Sequence, residues 1–231
     1  MREQPEQQAP PVQRLRIRYA KRGRLRFTSH RDFSRAFERA LVRARVPMAY
    51  SSGFNPHPRI SYAGAAPTGS ASEAEYLEIG LAERLDPDSV RATLDAVMPD
   101  GLDVIGVAES PGGSLADLLT ASRWRLDTTA DPDALASAVA AFLAADAVLV
   151  ERLTKKGMRE FDSRGAVSSL TASGSSLDLL LVHTVPAVRP DDVLTGLRLA
   201  GGLDAGQAPL LTRLAQGVLD PDSGELREPF G

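Results

Sequence analysis

At 231 residues, with 43% hydrophobic content and a net charge of −3, the chain has the composition of a globular protein long enough for one large core or two smaller ones. It has no cysteine and only three histidines, His30, His57 and His183, which excludes disulfides, thiolate nucleophiles, iron–sulfur ligation and Cys-based zinc sites, and argues against a His-rich metal cage. It contains no uncharged apolar run of roughly 18 residues, and MREQPEQQAP lacks the apolar core of a signal peptide; a cytoplasmic protein with no membrane span and no cofactor of its own is expected.

Charge is divided unevenly. Arg14 to Tyr62 holds 13 basic residues against two acids, and the rest of the chain 14 against 28. A basic segment inside an acidic protein is an electrostatic address.

Residues 1–12 are rich in Gln, Glu and Pro and read as a disordered tail. From Arg14 the pattern alternates, with Leu15, Ile17 and Tyr19 on one side of a strand and Arg14, Arg16 and Arg18 on the other. Lys21-Arg22-Gly23 marks a turn or bulge, after which Leu25 and Phe27 alternate with Arg24 and Arg26, so the ribbon is expected to present one apolar face and one row of arginines. Ser29 is an N-cap with Asp32 three residues on, and the helix it opens runs to about Arg45. Its core stripe is Phe33, Phe37, Ala40, Leu41 and Ala44, while Arg31, Arg35, Arg39 and Arg43 recur every fourth residue.

Pro47 ends that helix, and Gly53-Phe54-Asn55-Pro56-His57-Pro58 forms a restricted loop. Ile60 and Tyr62 resume a strand, a small-residue loop spans 64–72, and Glu75 to Leu81 is a further strand. Asp86-Pro87 opens a second helix through Met98, and 101–105 closes the set with a short strand. After a Pro-Gly linker and a short helix, strands and helices recur in the same order. Trp124 to Asp127, Val148 to Leu153, Leu177 to His183 and Leu210 to Leu214 are the second set's strands, and Pro132 to Ala145 and Arg189 to Leu199 its helices.

The expectation is an α+β chain of two tandem ferredoxin-like (split βαβ) domains with antiparallel sheets. The boundaries are a tail at 1–12, a first domain with the basic face at 13–109, a linker and short helix at 110–122, a second domain at 123–219, and a disordered tail at 220–231. Closely spaced guanidiniums favour bidentate contacts to phosphate, so Arg16, Arg18, Arg24, Arg26, Arg35, Arg39 and Arg59 are candidate RNA-backbone ligands, with Phe54 and His57 in a base-reading loop. His30 and His57, with Asp32, are the candidate catalytic set of an alternative metal-independent ribonuclease. A scaffold docking an acidic protein is the third reading. Lys155, Lys156, Arg159 and Arg164 mark a smaller basic hairpin, and His183, in an apolar strand, reads as structural.

Two stretches carry a family resemblance. Arg24-Leu25-Arg26-Phe27-Thr28-Ser29-His30-Arg31-Asp32 with the helix that follows, and Tyr50-Ser51-Ser52-Gly53-Phe54-Asn55-Pro56-His57-Pro58-Arg59-Ile60, resemble a bacterial radical-SAM-linked (radical-SAM-associated) family of unknown function. Residues 156–164 resemble it more loosely. In that family the domain is fused behind, or encoded beside, a radical SAM enzyme, so the resemblance implies such a partner. Without the radical SAM Cys triad this chain resembles the accessory half standing alone, and Arg31 and Thr28 depart from the commoner pattern while His30 and Asp32 stay in place. The architecture alone is also similar to CRISPR repeat-processing RNA endonucleases. Together these readings predict an RNA-binding accessory protein that presents RNA to a partner enzyme.

Overall fold

The computed structural model describes residues 7–154 and 157–230. They form a mixed α+β protein with four α-helices and mostly antiparallel strands. The chain divides into two compact units, Met1–Leu118 with Pro229–Gly231, and Leu119–Glu228. Among the described residues no helix is long and apolar enough to cross a membrane.

The first unit follows the order β1 (Gln13–Lys21), α1 (His30–Arg43), β2 (Ile60–Ala63), β3 (Ala71–Leu81), α2 (Pro87–Asp95) and β4 (Val104–Glu109). Every pairing among its strands is antiparallel, and they lie side by side as β4-β1-β3-β2. The register puts Ile17 opposite Leu77 on one side and Val107 on the other. Period-two alternation therefore delivers Leu15, Ile17, Leu77 and Ile79 to one face, where Phe33, Phe37, Leu41, Val90 and Leu94 of the two helices close the core. Each such side chain contributes about 1.5–3 kcal/mol when buried, and the stacked rings of Tyr19 and Phe33, 4.2 Å apart, anchor α1 at its N-terminal end. Ser29 caps the helix as its sequence indicates: its hydroxyl donates to the Asp32 carboxylate (2.7 Å) and accepts from the Asp32 N–H.

The arginine ribbon expected after β1 does not form. Gly23–Phe27 is a 3-10 helix instead, closed by Leu25 N–H to Arg22 C=O (3.0 Å) and Thr28 N–H to Leu25 C=O (2.9 Å). Only five residues separate the Gly23 turn from the Ser29 cap, and Gly23 takes a positive φ of 53°, so the chain tightens locally rather than finding a strand partner. Leu25 reaches the core, whereas Phe27 is left exposed.

The second unit runs β5 (Ala121–Asp127), α3 (Pro132–Ala144), β6 (Leu149–Thr154), β7 (Gly157–Asp162), β8 (Val167–Ser173), β9 (Ser176–Val182), α4 (Pro190–Gly201), β10 (Leu210–Leu219) and β11 (Leu226–Arg227). Its main sheet has the order β10-β5-β9-β8, and β6 and β7 make a hairpin of their own. Val148 to Leu153 was expected to be one of the sheet's strands. Among the described residues it pairs with β7 alone, with Val150 and Phe161 buried on one hairpin face and Leu149 and Leu153 exposed on the other. Lys155 and Lys156 lie outside the described residues.

Parts of both expected tails make defined contacts. Val12 N–H donates to the Leu81 carbonyl (2.9 Å), continuing the pairing of β1 with β3 by one residue. Past Asp220, β11 pairs with the end of β10, and Phe230 sets its ring 5.7 Å from that of Tyr76. One aromatic at the chain's end supplies the apolar contact that its Pro, Gly and acid content hides.

Candidate nucleic-acid interface

The basic residues of the first unit fall into three environments. Arg16 is 0% exposed: Nε donates to Glu78 Oε2 (3.4 Å), Nη1 to the Pro229 carbonyl (2.6 Å) and Nη2 to the Gly112 carbonyl (2.7 Å). It offers nothing to a phosphate and leaves the candidate surface, because the linker and the last residues of the chain cover that face of β1. Arg18 is half-buried, with Nε on the Glu73 carbonyl (2.8 Å). Arg22 is gripped by Glu73 and Asp103, which hold its guanidinium firmly in the charged form above the ordinary arginine range.

The helix row is different. Arg31, Arg35, Arg39 and Arg43 are all exposed, and among the described residues none has an ion-pair partner. Arg35, Arg39 and Arg43 line a shallow depression of about 610 Å³ with Glu38 and Val42, whose side chain is 76% exposed. Arg24 is exposed on the 3-10 helix, and Arg26 lies over the Phe27 ring (4.4 Å) with Nη1 on the Gly23 carbonyl.

The third environment is the loop before β2. Tyr50 bridges Pro58, Ser51 N–H donates to the His57 carbonyl (2.9 Å), and His57 N–H donates to Ser51 Oγ (3.0 Å). These bonds pinch the loop at its neck, so its tip presents Phe54, 68% exposed, on a fixed base. Arg59 is oriented by Nε donating to the Tyr50 carbonyl (3.1 Å). Beneath the loop a cavity of about 300 Å³ is lined by Arg14, Ser51, His57, Arg59, Ser61 and Glu78, among others. Glu78 is spent there: Arg14 Nη1 (3.1 Å), Arg16 and the Ser110 hydroxyl (2.7 Å) all donate to it.

The candidate catalytic set is dispersed. His57 lines the loop cavity, and His30 lines another, about 20 Å³ in size, with Lys21, Ser29 and Glu75. The His30 ring meets Tyr62 edge-on at 4.8 Å, and the Asp32 carboxylate takes the Ser29 hydroxyl as part of the helix cap. Burial pushes the Tyr62 phenol up. Ser34, whose hydroxyl donates to the His30 carbonyl (2.9 Å), tempers that rise without making a well-directed bond to the phenol oxygen. Arg14 and Glu78 were missed as site residues; the alternation after Arg14 places Arg14 beside the loop only once its pairing with Gly80, and Arg16's with Glu78, is known. Among the described residues no cluster of His, Asp and Glu could hold a metal ion.

Fold and surface together define an α+β protein of two units, the first of which carries an open, arginine-bearing helix face and an aromatic-tipped loop. The chain belongs to a bacterial family of unknown function, described as an uncharacterized protein conserved in bacteria (DUF2344), whose model matches residues 14–190. No curated protein matches it.

Proposed function

We propose that this is a cytoplasmic RNA-binding accessory protein that holds a single-stranded or looped RNA on its first unit for a partner enzyme. The observation that carries it is the solvent face of α1, where Arg31, Arg35, Arg39 and Arg43 stand exposed with no carboxylate partner among the described residues. Four guanidiniums along about three turns of helix match a run of phosphates, and guanidinium geometry suits bidentate phosphate contacts. Exposed Phe54 and Tyr50 favour unpaired bases, each stacked base contributing roughly 1–3 kcal/mol. The resemblance to the radical-SAM-linked family makes a radical SAM enzyme the partner, which would supply the cluster chemistry that a chain without cysteine lacks.

Both units are read as split βαβ, ferredoxin-like domains. What supports this is the sheet order β4-β1-β3-β2 in one and β10-β5-β9-β8 in the other, with the β6–β7 hairpin as an insertion. The ribonuclease alternative draws no support from the geometry, since His30 and His57 line different cavities and Asp32 serves the helix cap.

Fluorescence anisotropy of a labelled single-stranded RNA across a salt series tests the reading. Log affinity should fall linearly with log salt, and the Arg35→Ala/Arg39→Ala double variant should flatten the slope by about 1.4, near 0.7 per lost phosphate contact on a single strand. Because neither arginine has a bonded partner among the described residues, the melting temperature should stay unchanged. Absence of RNA binding at low salt, or an unaltered slope in the double variant, overturns the proposal.

A further inference from the structure

We propose that the cavity beneath the 51–57 loop is a binding site for a phosphate monoester, the group that ends a processed RNA strand. This rests on the RNA reading for the source of the ligand but not for its chemistry. The cavity's size, about 300 Å³, suits a terminal nucleotide rather than a run of backbone. Its charge is one-sided. Among the described residues Glu78 is the one carboxylate in its lining, and Arg14, the buried Arg16 and Ser110 already satisfy it. That leaves Arg59 and His57 without an anion. Arg59 is aimed by its Nε bond to Tyr50, its terminal nitrogens make no hydrogen bond to a described residue, and neither does the His57 ring.

A monoester suits this arrangement better than a backbone diester. It carries about −1.5 to −2 charge near neutrality against about −1 for a diester, and it presents three acceptor oxygens to guanidinium, imidazole and the Ser51 and Ser61 hydroxyls. The walls are rigid as well as polar. Arg59 N–H donates to Ala49 C=O (2.8 Å) and Gly80 N–H to Arg59 C=O (2.9 Å), locking the arginine's backbone to β3. A Cβ on Gly80 would stand 3.0 Å from Pro11 and 3.3 Å from the Arg59 side chain, so glycine there lets both segments close over the strand. The preorganised donors need little rearrangement to take an anion.

The test uses the full chain with one short single-stranded RNA prepared with a 5′-phosphate, with a 3′-phosphate, and with hydroxyls at both ends, plus adenosine monophosphate as competitor. At least one phosphate-ended RNA should bind about tenfold or more tightly than the hydroxyl-ended one, the yield of one added charge-assisted contact. Arg59→Gln should abolish that preference. Ser61→Asp, at an exposed position of β2 and outside the loop, places a carboxylate in the same cavity and should do the same even if the loop does not tolerate substitution. Adenosine monophosphate binding that is lost in both variants, with no RNA bound, would uphold the pocket, make a free mononucleotide the ligand, and sink the RNA reading alone. Equal binding of all three RNAs without competition by adenosine monophosphate, or a preference that survives both variants, overturns the pocket; the slope change in the α1 double variant then decides the RNA reading separately.

Discussion

The guanidinium of Arg16 is fully buried, yet each of its nitrogens has an acceptor: Glu78, the Pro229 carbonyl and the Gly112 carbonyl. A buried charge persists only when it is paired and its donors are used, and this one is. The carboxylate is the critical member, because it also takes Arg14 and Ser110. Glu78→Ala should therefore cost about 3–5 kcal/mol in urea denaturation, as expected when one partner of a buried pair is removed and the other is stranded. Arg16→Met should cost clearly less, since Glu78 keeps Arg14 and Ser110 and the thioether stem fills the same channel. A Glu78→Ala loss below about 1 kcal/mol would mean that water reaches Arg16 freely.

At the level of elements, α1 was legible in the sequence because local signals and tertiary packing agree. Ser29 and Asp32 form the cap, Phe33, Phe37, Ala40 and Leu41 are buried, and the arginines between them face out. The loop that displays Phe54 and His57 was legible for a similar reason, as Pro56 and Pro58 restrict the chain where it turns. The fate of Arg16 was not legible, since its partners at Gly112 and Pro229 lie 96 and 213 residues further along. The basic hairpin around residue 157 was legible, as β6 and β7 do pair, but its separation from the main sheet was not, since alternation does not say which sheet a strand joins. In the second unit the helices meet through missing side chains. A Cβ at Gly196 would come 2.6 Å from Phe142 and 2.8 Å from Ser163 Oγ, and one at Gly201 2.4 Å from the Ala138 backbone. Gly196→Ala should thus destabilise the protein by about 1–3 kcal/mol despite its better helix propensity, an overpacking cost that a denaturation midpoint would register. A neutral or stabilising result would show that α4 can slide away from Phe142.

For the whole molecule, two compact units in one chain raise the question of whether they respond to conditions alike, and the second holds both the probe and the trigger needed to ask it. Trp124, on β5, is the chain's single tryptophan, so its fluorescence reports on that unit. Its indole N–H donates to Ser122 Oγ (2.8 Å), and Ser122 in turn meets His183 Nε2 (3.0 Å), whose Nδ1 lies 2.6 Å from the Leu119 carbonyl. With Nδ1 protonated and donating to that carbonyl, Nε2 is the acceptor for the Ser122 hydroxyl, so the chain of bonds runs through a neutral imidazole. Burial, opposed by the Leu119 carbonyl and reinforced by nearby Arg213, lowers the His183 pKa from its ordinary value. The sign follows from linkage. The unfolded state takes up its proton first, so the stability contributed by neutral His183 is complete above about pH 6.5 and drains away as the pH falls below that toward the folded value. Thermal melts followed by Trp124 fluorescence should lose midpoint temperature between about pH 7 and pH 5, and His183→Gln should flatten that loss by removing the titrating group while keeping polar contacts to Ser122 within reach. If the units melt independently, a far-UV signal carrying both should separate from the tryptophan signal as the pH drops. A tryptophan midpoint with the same acid slope in wild type and His183→Gln would assign the pH sensitivity to carboxylates and remove His183 from the account.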